Sequence, residues 1–504
     1  MFRTLIDFAR FTRLTWILAR HDALIPQEFD AQVPGAVRLF GKITRIGTRT
    51  KGLRPGQRLA RALAGQGPAY VKFGQLLATR PDIIGFEMAE DLSLLQDKMA
   101  PFSLDQAKRD VEQAFGKPLD QLFSSFSEPI AAASIAQVHK ATLPDGQEVA
   151  VKILRPKIED KAKREFRTLL FGARLVQRLV PAAKRLEPIQ FVQTLMESSE
   201  LELDLRLEAG SASELAENLS EHERLRLPEV IWHRCSRRVL TVEWINGTPV
   251  TDLAALDAAG FDRKALARLT MQSFLTQALE HGFFHADMHQ GNLFVDTSGK
   301  LVLLDFGIMG RLDKPARKAF AEIIYGFIQR DYQLAAKAHF DAGYVPEHFN
   351  VDAFATALRA VGEPIFGKKA DQLDMSRVLQ QLFDVTDVYD MHLRPELVLL
   401  QRTMVVVEGV ARVLDPEIDL WGTAEPIVRA YIEREVGPGA VLRQAKENIT
   451  AARSLIEAFP EFAQAAENVA GQLANGGIQL SDETILRLAR ALKGKPLDPD
   501  PRNR

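Results

Sequence analysis

His285-Ala286-Asp287-Met288-His289-Gln290-Gly291-Asn292, then a run of strand-forming residues, then Leu303-Leu304-Asp305-Phe306-Gly307, is the stretch that decides the fold. It places a carboxylate, an amide five residues after it and a second carboxylate on two loops on either side of that strand-forming run. That order and spacing suits phosphoryl transfer: one carboxylate beside the acceptor, and an amide oxygen with a second carboxylate for a hard divalent cation. Asp287, Asn292 and Asp305 fill these three places.

Bulk composition agrees with an enzyme of more than one structural unit. The chain has 504 residues, 46% hydrophobic and 26% charged, enough to bury a large core. Its single cysteine, Cys235, permits no intrachain disulfide and reads as an apolar residue, not a nucleophile. A net charge of -2 excludes polyelectrolyte character, and no nucleic-acid partner is expected. The first 61 residues nevertheless carry twelve Lys or Arg against four acids, a basic excess suited to an anionic surface. No run approaches the roughly twenty apolar residues of a spanning helix. Asp7, Arg10 and Arg13 interrupt the first apolar stretch, so residues 1 to 20 read as an amphipathic basic helix, lying on a bilayer or packed on the protein with its arginines in solvent.

Along the chain the pattern is helical to about Phe126, punctuated by Pro55-Gly56, Gly65 to Pro68, Pro81 and Pro101. Ile135 to Ala141 and Val149-Ala150-Val151-Lys152, joined by Pro144-Asp145-Gly146, then read as a hairpin. A long helical region follows, and Val239-Leu240-Thr241-Val242 is a strand running into Glu243-Trp244-Ile245-Asn246-Gly247, where a kinase places its interlobe hinge. Glu243 and Ile245 are therefore candidate adenine contacts. Val149 to Lys152 matches the strand whose lysine meets the nucleotide phosphates. No glycine-rich loop precedes it; Ile130-Ala131-Ala132-Ala133-Ser134-Ile135-Ala136-Gln137-Val138 stands there instead. Backbone N-H groups of that stretch could cradle phosphates, with the Ser134 hydroxyl beside them; otherwise it is an alanine-rich helix start. His285 reads as a residue that holds its loop by hydrogen bonds, and His289 as a loop histidine.

With Lys72-Phe73-Gly74-Gln75 and Glu202-Leu203-Asp204 added, the set resembles the UbiB family of atypical kinase-like ATPases involved in ubiquinone biosynthesis. The first of these looks like that family's KxGQ signature, the second like its ExD motif, and Ala131 to His139 like its alanine-rich loop. The sequence departs from the family at Ala136, where glycine is expected, and at Met288 and Gln290, where prolines are frequent. The resemblance covers the N-terminus to about residue 420. It implies an α+β fold: an atypical protein-kinase-like bilobal fold with a small N-lobe carrying an antiparallel sheet and a large helical C-lobe. The expected organisation is an N-terminal helical extension (1–126), an N-lobe with inserted helices (127–247), a C-lobe (248–420), further C-terminal helices (421–495) and a disordered tail (496–504).

The resemblance also implies that Lys152 pairs with Glu208 and that Lys72 of the extension pairs with Glu202. Glu208 lies four residues after Asp204, so the two would share a helix face, whereas Glu202 points elsewhere. ATP or ADP with Mg²⁺ is the expected cofactor set, with Asp287 as base or orienter and Asn292 and Asp305 on the metal. Ala286 stands where a regulated protein kinase has arginine, and the chain after Gly307 leaves little room for a peptide platform. Water, a small molecule or a lipid is thus the expected acceptor. The implied setting is the cytoplasmic side of a bacterial inner membrane, with an anionic membrane surface, a ubiquinone-precursor lipid or ubiquinone-biosynthesis enzymes as partners; homo-oligomerisation is left open. Two other readings stay open: a nucleotide-binding scaffold without phosphoryl transfer, and an aminoglycoside-type small-molecule kinase.

Overall fold

Strand alternation builds the small lobe. β1 (Ser125–Ala132), β2 (Ala136–Thr142), β3 (Glu148–Leu154) and β5 (Val239–Glu243) form an antiparallel sheet in the order β1-β2-β3-β5. Along β3, Val149, Val151 and Ile153 are fully buried on one face, and Lys152 stands on the other. The buried face packs on α5 (Leu104–Phe115) through Ala107 and Val111, and on Leu122, Phe123, Ile231 and Val239. Burying each such aliphatic side chain is worth about 1.5 to 3 kcal/mol. Ser103 caps α5 by accepting the Gln106 N-H, and Gly116, at φ +64°, ends it. Thus a helix from the stretch read as the N-terminal extension forms part of the N-lobe core.

The computed structural model describes residues 2–23, 52–78, 84–93, 95, 99–179, 187–364, 381, 384–386, 388–391 and 395–435. Pro81, all five basic positions from 38 to 51, the expected helices beyond 435 and the expected tail lie outside the described residues. The chain divides into two compact units, Met1–Tyr431 and Ile432–Arg504.

In the first unit, α1 (Phe2–Arg20) lies on α7 (Ile158–Leu179), with Phe8 and Phe11 at the edge of Phe171. Leu14 and Ala19 are buried, whereas Ile6, Phe8 and Trp16 are exposed by 43%, 56% and 58%. α2 (Pro55–Ala64), α3 (Pro68–Ala78) and α4 (Phe86–Ser93) pack together. α3 also rests on α7 and on α8 (Pro188–Glu202), which leads into α9 (Leu205–Asn218). The helices expected between Lys152 and Glu208 are present, as α7 and α8.

The large lobe is built on α11 (Arg263–Thr276), α12 (Lys314–Ile328), α13 (Tyr332–Asp341), α14 (Val351–Gly362), α15 (Pro395–Leu414) and α16 (Leu420–Glu435). Tyr332, Ala335, Ala336, Phe354 and Leu358 form a core between α13 and α14. Two small sheets carry the loops of the site. β4 (Leu225–Arg226), β9 (Leu301–Leu303), β8 (Leu293–Asp296) and β6 (Gly247–Pro249) run in that order, and β10 (Met309–Arg311) pairs with β7 (Phe283–His285). Asp287 and Asn292 lie between β7 and β8, and Asp305 between β9 and β10.

Candidate active site

Lys152 is the meeting point of the site. Its Nζ lies 2.8 and 3.0 Å from the Glu208 carboxylate oxygens and 3.1 Å from Asp305 Oδ1. Burial alone would lower the lysine, but Asp305 and Glu208 together raise it well above the usual range. Lys152 in turn holds the Asp305 carboxyl down to about 2, while burial pushes Glu208 up to about 7 against the pull of Lys152. The lysine is thus a fixed cation at neutral pH, suited to phosphate oxygens. Asp305 has φ +62°, a left-handed conformation that aspartate tolerates better than most residues and that concentrates at functional sites. Its Oδ1 also accepts the Gly307 N-H at 3.4 Å.

The catalytic loop is held from beneath by His285. This histidine is fully buried and kept neutral by burial. Its Nδ1 accepts the Asp287 N-H at 3.1 Å, so its Nε2 donates to the Leu304 carbonyl at 3.0 Å. One imidazole therefore joins the residue of the acceptor loop to the residue before Asp305, which is a structural role and not proton carriage. Gln277, at the end of the helical run before β7, accepts the His285 N-H at 2.9 Å. Asn292 Nδ2 donates to the Asp287 carbonyl at 3.0 Å, which leaves its Oδ1 as the atom for a cation. His289 accepts the Gly291 N-H through Nδ1, and its Nε2 stands 3.7 Å from the half-exposed Asp287 carboxylate. The Thr403 hydroxyl of α15 is shared between the Ala286 carbonyl, at 3.1 Å, and the Leu399 carbonyl of its own helix, at 2.8 Å. Sequence reading found neither Gln277 nor Thr403, because a polar residue inside an apolar helical run carries no local signal of its partner.

The alanine-rich stretch is neither a helix start nor a free nest. Ile130, Ala131 and Ala132 end β1, Ala133, Ser134 and Ile135 make the turn, and Ala136, Gln137 and Val138 begin β2. Ala133 donates to the Ala136 carbonyl, and Arg155 clamps the turn from β3 through its Nε to Ala133 and its N-H to Ile135. Val138 is the cross-strand partner of Lys152 and shares its face. Gln137 does not: its amide is buried on the opposite face, accepting the Phe102 N-H and meeting His139 Nε2 at 2.9 Å. Period-2 alternation thus removes the Gln137 side chain from a nucleotide on the lysine face. Ser134 Oγ is buried with no hydrogen-bond partner, and an orphan hydroxyl there fits a phosphate oxygen.

At the hinge, the Glu243 side chain is not free for a nucleotide. Arg226 pairs with it and, through Nη1 at 3.0 Å, with Asp296 at the end of β8. The Glu243 N-H donates to the Glu229 carbonyl, and Ile245 follows on the half-buried connection into β6. The Glu243 side chain and N-H are thus engaged, which leaves the adenine the chain that follows, toward Ile245.

The Lys72 segment is held at every residue. Lys72 pairs with Glu202, the last residue of α8, and Phe73 meets Phe191 edge-on at 5.8 Å. Gly74 sits against Leu63, Leu92 and Leu95, where a Cβ would collide, and Gln75 donates to the Leu95 carbonyl at 3.3 Å. Asp204 and Glu208 do not share a helix face. Asp204 caps α9, accepting the Arg206 N-H and binding its guanidinium at 2.6 Å, so the chain breaks between Glu202 and Glu208.

A lysine-glutamate pair on a sheet-helix seam, an amide-carboxylate pair on two loops and a short exit into helix define an atypical kinase-like phosphotransferase or ATPase. Residues 94–339 match the ABC1 atypical kinase-like domain and residues 358–419 the UbiB helical domain. The chain is 36% identical over 477 residues to the probable protein kinase UbiB of Marinobacter nauticus, covering 93% of this chain and 86% of that one. It is 38% identical to the same-named proteins of Aeromonas hydrophila (90% and 85% covered) and Cellvibrio japonicus (94% and 86%). The chain belongs to the UbiB family. A solved complex of Rv3197 with erythromycin from Mycobacterium tuberculosis shares the fold, with a TM-score of 0.52 at 24% identity over 73% of this chain and 91% of that one.

Proposed function

We propose that this protein is a Mg-ATP-dependent ATPase or kinase supporting ubiquinone biosynthesis at the cytoplasmic face of the inner membrane. The observation that carries the reading is the bond from Lys152 to both Glu208 and Asp305, with Asn292 and Asp287 on the adjoining loop. Lys152 and Ser134 would hold phosphate oxygens, Asn292 and Asp305 the cation, and the backbone near Glu243 and Ile245 the adenine. Bound Mg²⁺ would neutralise charge on the phosphates. Asp287 orients the acceptor O-H and takes up its proton as the new bond to the γ-phosphorus forms and the bond from that phosphorus to the bridging oxygen breaks, ADP leaving with the electron pair. After Gly307, β10 leads directly to α12 at Lys314, so water or a lipid-like hydroxyl is favoured over a peptide. The outward face of α1, with Ile6, Phe8 and Trp16 exposed beside Arg13 and Arg20, supports docking on an anionic bilayer.

The test is ATP hydrolysis by the purified chain with Mg²⁺, with and without anionic vesicles. Turnover that disappears in Asp287→Asn supports the enzyme. ATP binding without turnover in the wild type would leave the scaffold reading. Vesicle cosedimentation unchanged in Phe8→Ser/Trp16→Ser would remove α1 as the docking face.

A further inference from the structure

The first turn of α3 rests on a buried carboxylate. Ala69 donates its N-H to Glu165 Oε2 of α7 at 3.0 Å, and the two residues are 1% and 8% exposed. Pro68 at the helix start has no N-H, so the Ala69 amide is the first donor without an intrahelical acceptor. Gly67, at φ +140°, brings the chain so near that a Cβ there would collide with the Glu165 carboxylate. Tyr70, in the same turn, is 7% exposed, and Thr168, one turn further along α7 from Glu165, is 1% exposed. At its other side α3 carries Lys72 to Glu202, two residues before the cap of α9, which holds Glu208.

We propose that Glu165 is a positioning residue for the active site: by fixing the first turn of α3 on α7 it keeps Lys72 on Glu202, and so keeps α9 presenting Glu208 to Lys152. The inference rests on the ATP reading for its kinetic readout. A carboxylate at a helix N-terminus is favoured by the helix dipole, but burial opposes its charge. Burial raises Glu165 to about 7, against the Ala69 amide, Lys161 and Arg164. The charged and titratable groups around it are Lys161, at 4.0 Å, and Arg164 on its own helix, Tyr70 from α3 and, beside Tyr70, Arg10 from α1. Since the folded value lies above the unfolded one, the stabilisation is complete below about 4.5 and is lost as pH rises through about 7. The clamp on α3 therefore loosens on the alkaline side.

The full chain is compared as wild type, Glu165→Gln, Glu165→Ala and Gly67→Ala by hydrogen exchange, corrected for intrinsic rates, and by ATP hydrolysis from pH 6 to 8.5. In the wild type, protection of α3 and α9 falls at least threefold across this range; Glu165→Gln, neutral throughout, keeps its protection and activity within twofold and loses the pH dependence. Glu165→Ala and Gly67→Ala exchange α3 and α9 at least tenfold faster, with kcat/KM for ATP down at least fivefold. An unfolding variant would also raise exchange in α11, and Glu165→Gln then decides through its flat profile. Glu165→Gln titrating like wild type, or α3 released with α9 and kcat/KM unchanged, would overturn the proposal. Should the wild type lack ATP turnover, the exchange of α9 still reads the clamp, so the two failures are distinguishable.

Discussion

The Thr403 hydroxyl of α15 lies 3.1 Å from the carbonyl of Ala286, the residue before Asp287, and 2.8 Å from the Leu399 carbonyl of its own helix, so its one proton is shared between them, and both Thr403 and Ala286 are buried. The segment matched by the UbiB helical domain thus touches the backbone of the catalytic loop directly. A helix that merely covered the lobe would meet it through apolar side chains.

Replacing Thr403 by Val keeps the shape and leaves the Ala286 carbonyl without this donor, at a cost of about 1 to 3 kcal/mol. Because the carbonyl belongs to the loop that carries Asp287, kcat is expected to fall several-fold with KM for ATP little changed. Denaturant unfolding and steady-state kinetics on Thr403→Val check both halves.

Asp305→Asn removes the charge that a divalent cation and Lys152 both use. ATP turnover is expected to fall on the order of a thousandfold, the loss typical of removing one preorganised electrostatic contact at the reacting groups. The pH dependence has a definite sign. The Asp305 carboxyl is held down to about 2 by Lys152, below its unfolded value, so its contribution is present above about pH 4 and lost as pH falls toward 2. Acid unfolding of Asp305→Asn, which lacks that titration, should show a shallower loss in this window.

These residues show which parts of the site were legible. Loop chemistry was: Asp287, Asn292 and Asp305 act within a few residues of their neighbours, and spacing alone encodes that. β3 was legible too, since alternating valines bounded by Pro144-Asp145-Gly146 leave one reading. β1 was not, because Pro129 and three alanines argue against a strand; the sheet accommodates Pro129 at a register shift. Asp204 misled the helical spacing, since a residue four before Glu208 shares its face only if the helix is continuous, and Asp204 is the cap that begins it. Glu165 looks like half of a solvated Lys161–Glu165 pair; only packing against Gly67 turns it into a buried cap.

His339 gives the large lobe an acid limit. It is 8% exposed on α13, packs on Phe354 at 5.2 Å and donates from Nδ1 to the Ala335 carbonyl at 2.7 Å. Burial lowers it to about 4. For a histidine kept neutral by the fold, stability is present above the unfolded value near 6.5 and declines as pH falls toward 4, by on the order of 3 kcal/mol. Chemical denaturation between pH 7 and 4 should show that decline in the wild type and a reduced slope in His339→Leu.

Arg226 links the hinge to the sheet that carries the catalytic loops. It ties Glu243, at the mouth of the hinge, to Asp296, at the end of β8. Asp296 keeps other donors when Arg226 is lost: the Ser298 N-H and hydroxyl and the Lys300 N-H. Those donors all reach Oδ1, whereas Arg226 holds Oδ2 of a side chain only 2% exposed, so Arg226→Ala should cost about 1 to 3 kcal/mol of stability. What it removes is the tether that sets the direction in which β5 enters the hinge. If the backbone near Glu243 and Ile245 receives the adenine, KM for ATP rises about fivefold or more while kcat stays within twofold. A kcat loss without a KM change would place the effect of Arg226 on the catalytic loops, through Asp296 and β8, and would remove the hinge from nucleotide recognition.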